Sequence, residues 1–367
     1  MKNQISRRQL FQCAAASGWL SQGGGVQIQA ATNEADPGSK LRDLIGGFRL
    51  SQMIYVAAKL RLADRLAEGP QTAEQLAATA GAHADSLYRL MRALASEGIF
   101  AEEDDRRFRL TPMAQLLRAQ VPGSLRVSAE VAGEEWSWRP WGALLHSVKT
   151  GKVAFDHLYG KHTWDWFAEN PEAGRLFDAS MDERTLSEAA AVVGAFDFAT
   201  ARSIVDVGGG RGALLAAILR KNRSARATLL ELPQVIESSR QVLDAEMKRR
   251  IELAPGDFFR SVPSGGDLYV LKQILHDWND GRAIDILKNC RRAMPAESRL
   301  LVVEFMICGP NQPCFAKMSD IQMMVRTGGR NRTEQEFRLL FASSGFELNR
   351  VIATAVGMDI IETKPIA

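Results

Sequence analysis

The chain is poor in the residues that build metal centres and disulfide frameworks. Its 367 residues hold four cysteines and five histidines. Cys13, Cys290, Cys308 and Cys314 form no C-x-x-C pair and have no histidine cluster beside them, so no zinc or other metal site is expected. A chain of this length does not need cross-links to fold, and the reading is four free thiols. No apolar run approaches the roughly 20 residues of a membrane span. Long basic tracts are absent too, and the net charge is only +3. That argues against a nucleic-acid binder working by bulk charge. What is present is an ordinary globular composition, 46% hydrophobic and 24% charged. The length allows more than one domain at roughly 100–200 residues each.

Residues 1–35 stand apart. Arg7-Arg8 precede a weakly apolar stretch from Leu10 to Leu20, and small residues surround Ala30 and Ala31. The pattern fits a bacterial twin-arginine export signal and equally a cytosolic tail that imitates one.

From Leu44 to Leu66 apolar residues recur at helical spacing, which predicts an amphipathic helix that must bury its stripe. Thr72 with Gln75 three residues later opens a second helix as a capping box, and Gly81 breaks it. Asp85 opens a third, with Leu87, Leu90, Met91 and Leu94 on one face and Gly98 at its end. "IFAEEDDRRFRLT" then reads as a hairpin. Helix, turn, helix, hairpin is a winged-helix pattern spanning residues 36–118. Its third helix offers only Arg89 and Arg92 against Asp85 and Glu97, too few cations for a major-groove reader. The expectation is a packing or dimerisation module, with DNA binding as the alternative.

Residues 119–190 read as helical and aromatic-rich, with Trp136, Trp138, Trp141, Tyr159, Trp164 and Trp166. So many planar side chains serve either a core or the wall of a pocket for a flat ligand. After Ala201 the period changes. Apolar runs such as "RSIVDV", "RATLLEL", "RIELAP", "DLYVL" and "SRLLVVEF" alternate with helical stretches, giving an α/β domain over 191–367 with a doubly wound sheet. Two further runs either side of Gly357 predict an antiparallel hairpin at the sheet edge.

Ligands of such sheets bind at the carboxyl ends of the strands. Gly208, Gly210 and Gly212 follow the first strand, where glycines let backbone approach a ligand and aim a helix N-terminus at it. Glu231 ends the second strand and can accept from two ribose hydroxyls. Asp257 and Phe258 follow the third and can bond and flank an adenine, Lys272 and His276 follow the fourth, and Glu304 ends the fifth. Asp280 is placed to cap the next helix. These features fit a nicotinamide enzyme or a methyltransferase. The glycine spacing, the "GDFF" segment and the terminal hairpin favour the second.

Over roughly residues 40–365 the chain resembles the S-adenosylmethionine-dependent O-methyltransferases of the caffeate, acetylserotonin and bacterial polyketide-tailoring type. The motifs carrying the resemblance are "VDVGGGRG", "LLELPQVI", "GDFF", "LKQILHDWND" and "GGRNRTEQEF". It implies a Rossmann-like methyltransferase domain, a winged-helix-like dimerisation domain, an intertwined homodimer and no required metal. Carried over, it implies that the glycine turn, Glu231, Asp257, Phe258, Lys272 and Thr185 hold S-adenosylmethionine. Phe167 would also touch the cofactor. Met181, Asp277, Gln322, Met323 and Arg326 would lie near a small-molecule hydroxyl acceptor, with His276 as general base and Glu304 behind its ring. The family's second carboxylate, in a Glu-Arg-Thr triplet, is replaced by Asn331, which can orient a ring nitrogen but cannot neutralise an imidazolium. That departure leaves room for fold relatives that hydroxylate or decarboxylate. The need for S-adenosylmethionine points to the cytoplasm, against the export reading of the leader.

Overall fold

A computed structural model describes residues 36–366, which divide into two units at Gly46/Gly47. The leader motif and Cys13 lie outside the described residues. The helix Pro37–Lys59 crosses that division. It stops where Arg61 turns left-handed (φ 54°), and a short helix Leu62–Arg65 follows. The single helix expected to Leu66 is thus two. Along the first one Leu41, Leu44, Ile45 and Phe48 are exposed.

Thr72 caps the helix Ala73–Ala80 in a complete capping box with Gln75, and Gly81 closes it at φ 67°. Such a cap contributes about 1 kcal/mol. The next helix, Ala84–Ser96, is capped by His83, whose ring accepts from Ser86 N–H; the sequence reading had placed its opening at Asp85. Leu87, Met91 and Leu94 are buried with Phe100 and Phe108, while Leu90 is half-buried. Strands β1 (Gln71–Thr72), β2 (Phe100–Glu102) and β3 (Arg107–Leu110) form a small antiparallel sheet in the order β1-β3-β2. Arg92 and Arg106 lie over the Tyr88 ring, so two of this module's cations are engaged locally.

The second sheet has seven strands in the order β6-β5-β4-β7-β8-β10-β9. They are β4 (Ser203–Val207), β5 (Arg226–Glu231), β6 (Ile251–Pro255), β7 (Leu268–Lys272), β8 (Arg299–Glu304), β9 (Phe346–Ala353) and β10 (Asp359–Pro365). Strands β4 to β8 pair in parallel, and β10 joins β8 and β9 antiparallel. The near-continuous apolar runs of the central strands follow from burial on both faces. One face packs Val192, Leu215 and Ile218 on Ile204 and Leu229; the other packs Ile286, Leu287, Phe337 and Phe341 on Leu271 and Val302. Because all five parallel strands run the same way, their carboxyl ends share one edge.

The thiol reading is corrected in one place. Cys308 and Cys314 are joined as a disulfide, with Cα atoms 6.3 Å apart. The segment after β8 doubles back, with Gln312 N–H donating to Gly309 O, and so brings the two within bridging distance. Cys290 is free and buried.

Candidate active site

The carboxyl edge of the sheet and the helices between residues 126 and 195 enclose a cavity of about 1680 Å³. At the end of β4 the chain turns through Gly208 (φ 72°), Gly210 (φ 59°) and Gly212 (φ 85°). These left-handed angles favour glycine. A Cβ at Gly208 would meet Ile274 at 2.6 Å, and one at Gly209 would meet Asp206 Oδ2 at 2.3 Å, so those two positions have no room for a side chain; at Gly210 the left-handed φ rather than space favours glycine. Gly208 and Gly210 line the cavity. Gly212 does not; it caps the helix Ala213–Lys221 and packs toward Leu229.

Glu231 accepts from Gly210 N–H at 3.3 Å and from Leu232 N–H at 2.6 Å. Burial pushes its carboxyl up to about 7, and burial does the same to Asp206. Asp178, on the helix Pro171–Ala195, is pushed up to about 6. Asp206 and Asp178 were not singled out from the sequence. Asp206 sits within "VDVGGG", and a buried acid before a glycine turn was the available signal. All three acids face the cavity, and Asp206 Oδ1 is buried without a hydrogen-bond partner. Asp257, Phe258, Thr185 and Phe167 are also on the cavity wall. So is Lys272, whose ammonium lies 2.7 Å from Glu188 and 3.2 Å from Thr185 Oγ1. Burial draws that ammonium below its usual range, against the Glu188 carboxylate.

His276 stands in the one-turn helix Leu275–Asp277 after β7 and is buried on the cavity wall. Its backbone N–H donates to Glu304 Oε1 at 3.2 Å, and Nδ1 lies 3.3 Å from Glu304 Oε2. That second approach is not aligned as a hydrogen bond. Burial, with the charges of Arg184, Lys272, Arg332 and Arg326 around it, pushes the imidazole down to about 3, so the ring is neutral. Burial pushes Glu304 up to about 8. Glu304 is behind the wall rather than on it. Asn331 is also behind it. Its amide donates to Phe305 O at 2.8 Å, and no hydrogen bond joins it to His276 among the described residues.

The loop carrying His276 is clamped from behind. The Arg332 guanidinium donates to Leu275 O at 2.8 Å and Trp278 O at 2.9 Å, spanning His276 and Asp277. It also bonds Asp280 Oδ1 at 2.8 and 3.0 Å. Asp280 therefore serves Arg332; the cap of the helix Asp280–Ala293 is Asn279, which corrects the reading from sequence. The third member of the triplet, Thr333, caps the helix Glu334–Ala342 with Glu336.

Met181, Asp277, Gln322, Met323 and Arg326 line the same cavity. Gln322 Oε1 accepts from Trp141 Nε1 at 2.9 Å. Trp164, Phe167 and Phe177 face the cavity, whereas Trp136 and Phe155 fill the core behind them. The aromatic-rich helices are thus both core and wall.

A family model of the O-methyltransferase domain matches residues 141–347, and one of the O-methyltransferase dimerisation domain matches residues 42–120. The chain belongs to the O-methyltransferase family. It is 44% identical to the phenazine O-methyltransferase PhzM of Lysobacter antibioticus over 89% of this chain and 96% of that one. It is 37% identical to the mitomycin biosynthesis 6-O-methyltransferase of Streptomyces lavendulae, over 93% and 97%. Its relatives include a nitrogen-methylating enzyme, the 8-amino-8-demethylriboflavin N,N-dimethyltransferase of Streptomyces davaonensis, at 34% over 82% and 87%. Among solved structures, LaPhzM superposes with a TM-score of 0.88 at 43% identity, covering 90% of this chain and all of that one. CalO1, a methyltransferase of calicheamicin biosynthesis solved with SAH bound, superposes at 0.77 with 31% identity, covering 90% and 100%. S-adenosylmethionine is the cofactor of this O-methyltransferase family. The site fits it: Gly208 and Gly210 bring bare backbone with left-handed φ to the cavity wall, and the acids beside them include an orphaned carboxyl oxygen.

Proposed function

We propose that this chain moves a methyl group from S-adenosylmethionine to a hydroxyl of a flat aromatic small molecule. The supporting observation is His276, a neutral imidazole on the cavity wall with a carboxyl group directly behind it. Gly208, Gly210 and the acids Glu231 and Asp206 would hold the cofactor, with Asp257, Phe258, Thr185 and Lys272 around it. Bound there, the cofactor supplies an already activated sulfonium methyl. His276 accepts the hydroxyl proton as the new bond forms, a contribution of roughly 10²–10⁴-fold. Glu304 would position the ring from behind, since its Oε1 accepts from the His276 backbone N–H and its Oε2 lies 3.3 Å from Nδ1. The hydroxyl is held in line by Met181, Asp277, Gln322 and Met323, and such alignment contributes at least as much. Because four cations disfavour a charged ring and Asn331 adds no negative charge, the fitting acceptor is an acidic hydroxyl, well below the ~10 of an ordinary phenol.

In the same reading, residues 36–118 dimerise, 119–190 cover the acceptor and 191–367 bind the cofactor. The exposed apolar residues of the helix Pro37–Lys59 belong to the interface of a homodimer, and the enzyme works in the cytoplasm, where its cofactor is made. His276→Ala should keep S-adenosylmethionine affinity and lose about 10²–10⁴-fold in turnover. Product mass should rise by one methyl per acceptor. A variant with the full wild-type rate would remove His276 from the mechanism.

A further inference from the structure

The guanidinium of Arg326 lines the cavity, and the proposed methyl transfer makes no use of it. Arg326 ends the helix Phe315–Arg326 and is about nine-tenths buried, at 9% exposure. Three aromatic rings surround its Cζ: Phe177 at 4.3 Å, Trp136 at 5.5 Å and Phe167 at 5.6 Å. Its Nε and Nη2 are buried with no hydrogen-bond acceptor. No carboxylate oxygen among the described residues lies within 4.0 Å of its nitrogens. Asp277 is the acid whose charge it feels, and burial pushes that carboxyl up to about 7, which makes it a weak counter-ion. Cation–π contacts offset part of the desolvation of a guanidinium but satisfy none of its N–H donors. A carboxylate is the partner that matches a guanidinium with unsatisfied donors. Arg326 also lines the cavity, alongside His276, Asp277 and Met323.

We propose that Arg326 is a carboxylate-recognition residue, and that the acceptor is an aromatic hydroxy acid whose carboxylate supplies the missing partner of this guanidinium. The proposal rests on the reading of the cavity as an aromatic acceptor site. An anionic ligand entering here neutralises a buried charge, whereas a neutral analogue leaves the charge unpaired. Discrimination therefore falls on the carboxylate itself.

The test uses the full-length protein with S-adenosylhomocysteine bound, and the probes 3-hydroxy-2-naphthoate and 3-hydroxy-2-naphthamide, compared by calorimetry. The wild type should bind the carboxylate at least ten-fold more tightly than the amide. Arg326→Gln should reduce that ratio to near one, and Arg326→Lys should retain part of it. Retained S-adenosylhomocysteine affinity and melting temperature show that the variants are folded. Should Arg326→Gln fail that control, Arg326→Lys carries the comparison. Equal affinity for the two probes in the wild type, failure to bind the carboxylate, or a preference that survives both substitutions overturns the proposal. Adding S-adenosylmethionine separates this from the reading it rests on. Selective carboxylate binding without methyl transfer to any hydroxyl acceptor sinks the methylation reading alone. Transfer without carboxylate selectivity sinks only the role of Arg326.

Discussion

Gly329 provides a sharp test of how the His276 loop is held. A Cβ placed there would lie 2.0 Å from His276 O, 2.3 Å from Asp277 C and 2.5 Å from Trp278 N. All three are backbone atoms, so no side chain can swing away to make room. Ordinary van der Waals contact begins at 3.4 Å, so the loop must retreat by more than an ångström. Gly329 has no left-handed φ, so the effect of Gly329→Ala is steric rather than torsional. Overpacking of this kind costs about 1–3 kcal/mol in stability. A displacement of ~1 Å at a reacting group costs on the order of 10²-fold in rate. The variant should therefore lose about two orders of magnitude in kcat while keeping its affinity for S-adenosylhomocysteine, because the glycine turn and Glu231 belong to other strands. Steady-state kinetics, calorimetry and a thermal melt measure the three quantities. Gly194→Ala is the control. Its Cβ would meet nothing within 4 Å, and it lies in the helix Pro171–Ala195, so it should be neutral or stabilising by up to ~1 kcal/mol. Wild-type kcat and an unchanged melting temperature in Gly329→Ala would refute the close packing of residue 329 on the loop.

Two other substitutions probe the same loop. Glu304 is raised to about 8 in the folded chain, so the fold binds its proton more tightly than the unfolded chain does and loses stability as pH rises from 4.5 through 8. Glu304→Gln removes that penalty while keeping an acceptor for His276 N–H. Its melting temperature relative to wild type should therefore climb between pH 5 and pH 8, even as turnover falls; a pH-independent difference would contradict the raised carboxyl. Arg332→Met leaves the Leu275 and Trp278 carbonyls without their donor, at about 1–3 kcal/mol each. If the clamp positions His276, kcat should fall far more than KM changes, and Arg332→Lys should restore part of it. A lower melting temperature with unaltered kcat would leave Arg332 with a structural role only.

Much of the sheet was legible because its signals are local. Each parallel strand is a short apolar run followed by a turn, and the sharing of one ligand edge follows from parallel pairing alone. His276, Glu231, Asp257 and Lys272 were therefore placed at strand ends correctly. The capping box of Thr72 and the turn at Gly81 were visible for the same reason. Misreadings arose where two local candidates competed, as with Asn279 and Asp280, or where a loop reversed on itself, as between Cys308 and Cys314. The first helix was read too long because nothing in "KLRLAD" marks the left-handed turn at Arg61.

The sequence by itself determined the order of strands and helices, the glycine turn and the set of polar residues at the carboxyl edge, since these depend on periodicity and on neighbours a few positions away. Tertiary structure decided which of those residues face the cavity. It set Gly212, Glu304 and Asn331 behind the wall and brought Asp178 and Asp206 onto it. It also decided the environment of two arginines: Arg332, bound to carbonyls more than 50 positions away, and Arg326, enclosed by rings from residues 136, 167 and 177. Contacts between such distant segments depend on how the helices pack on the sheet, which no local pattern encodes.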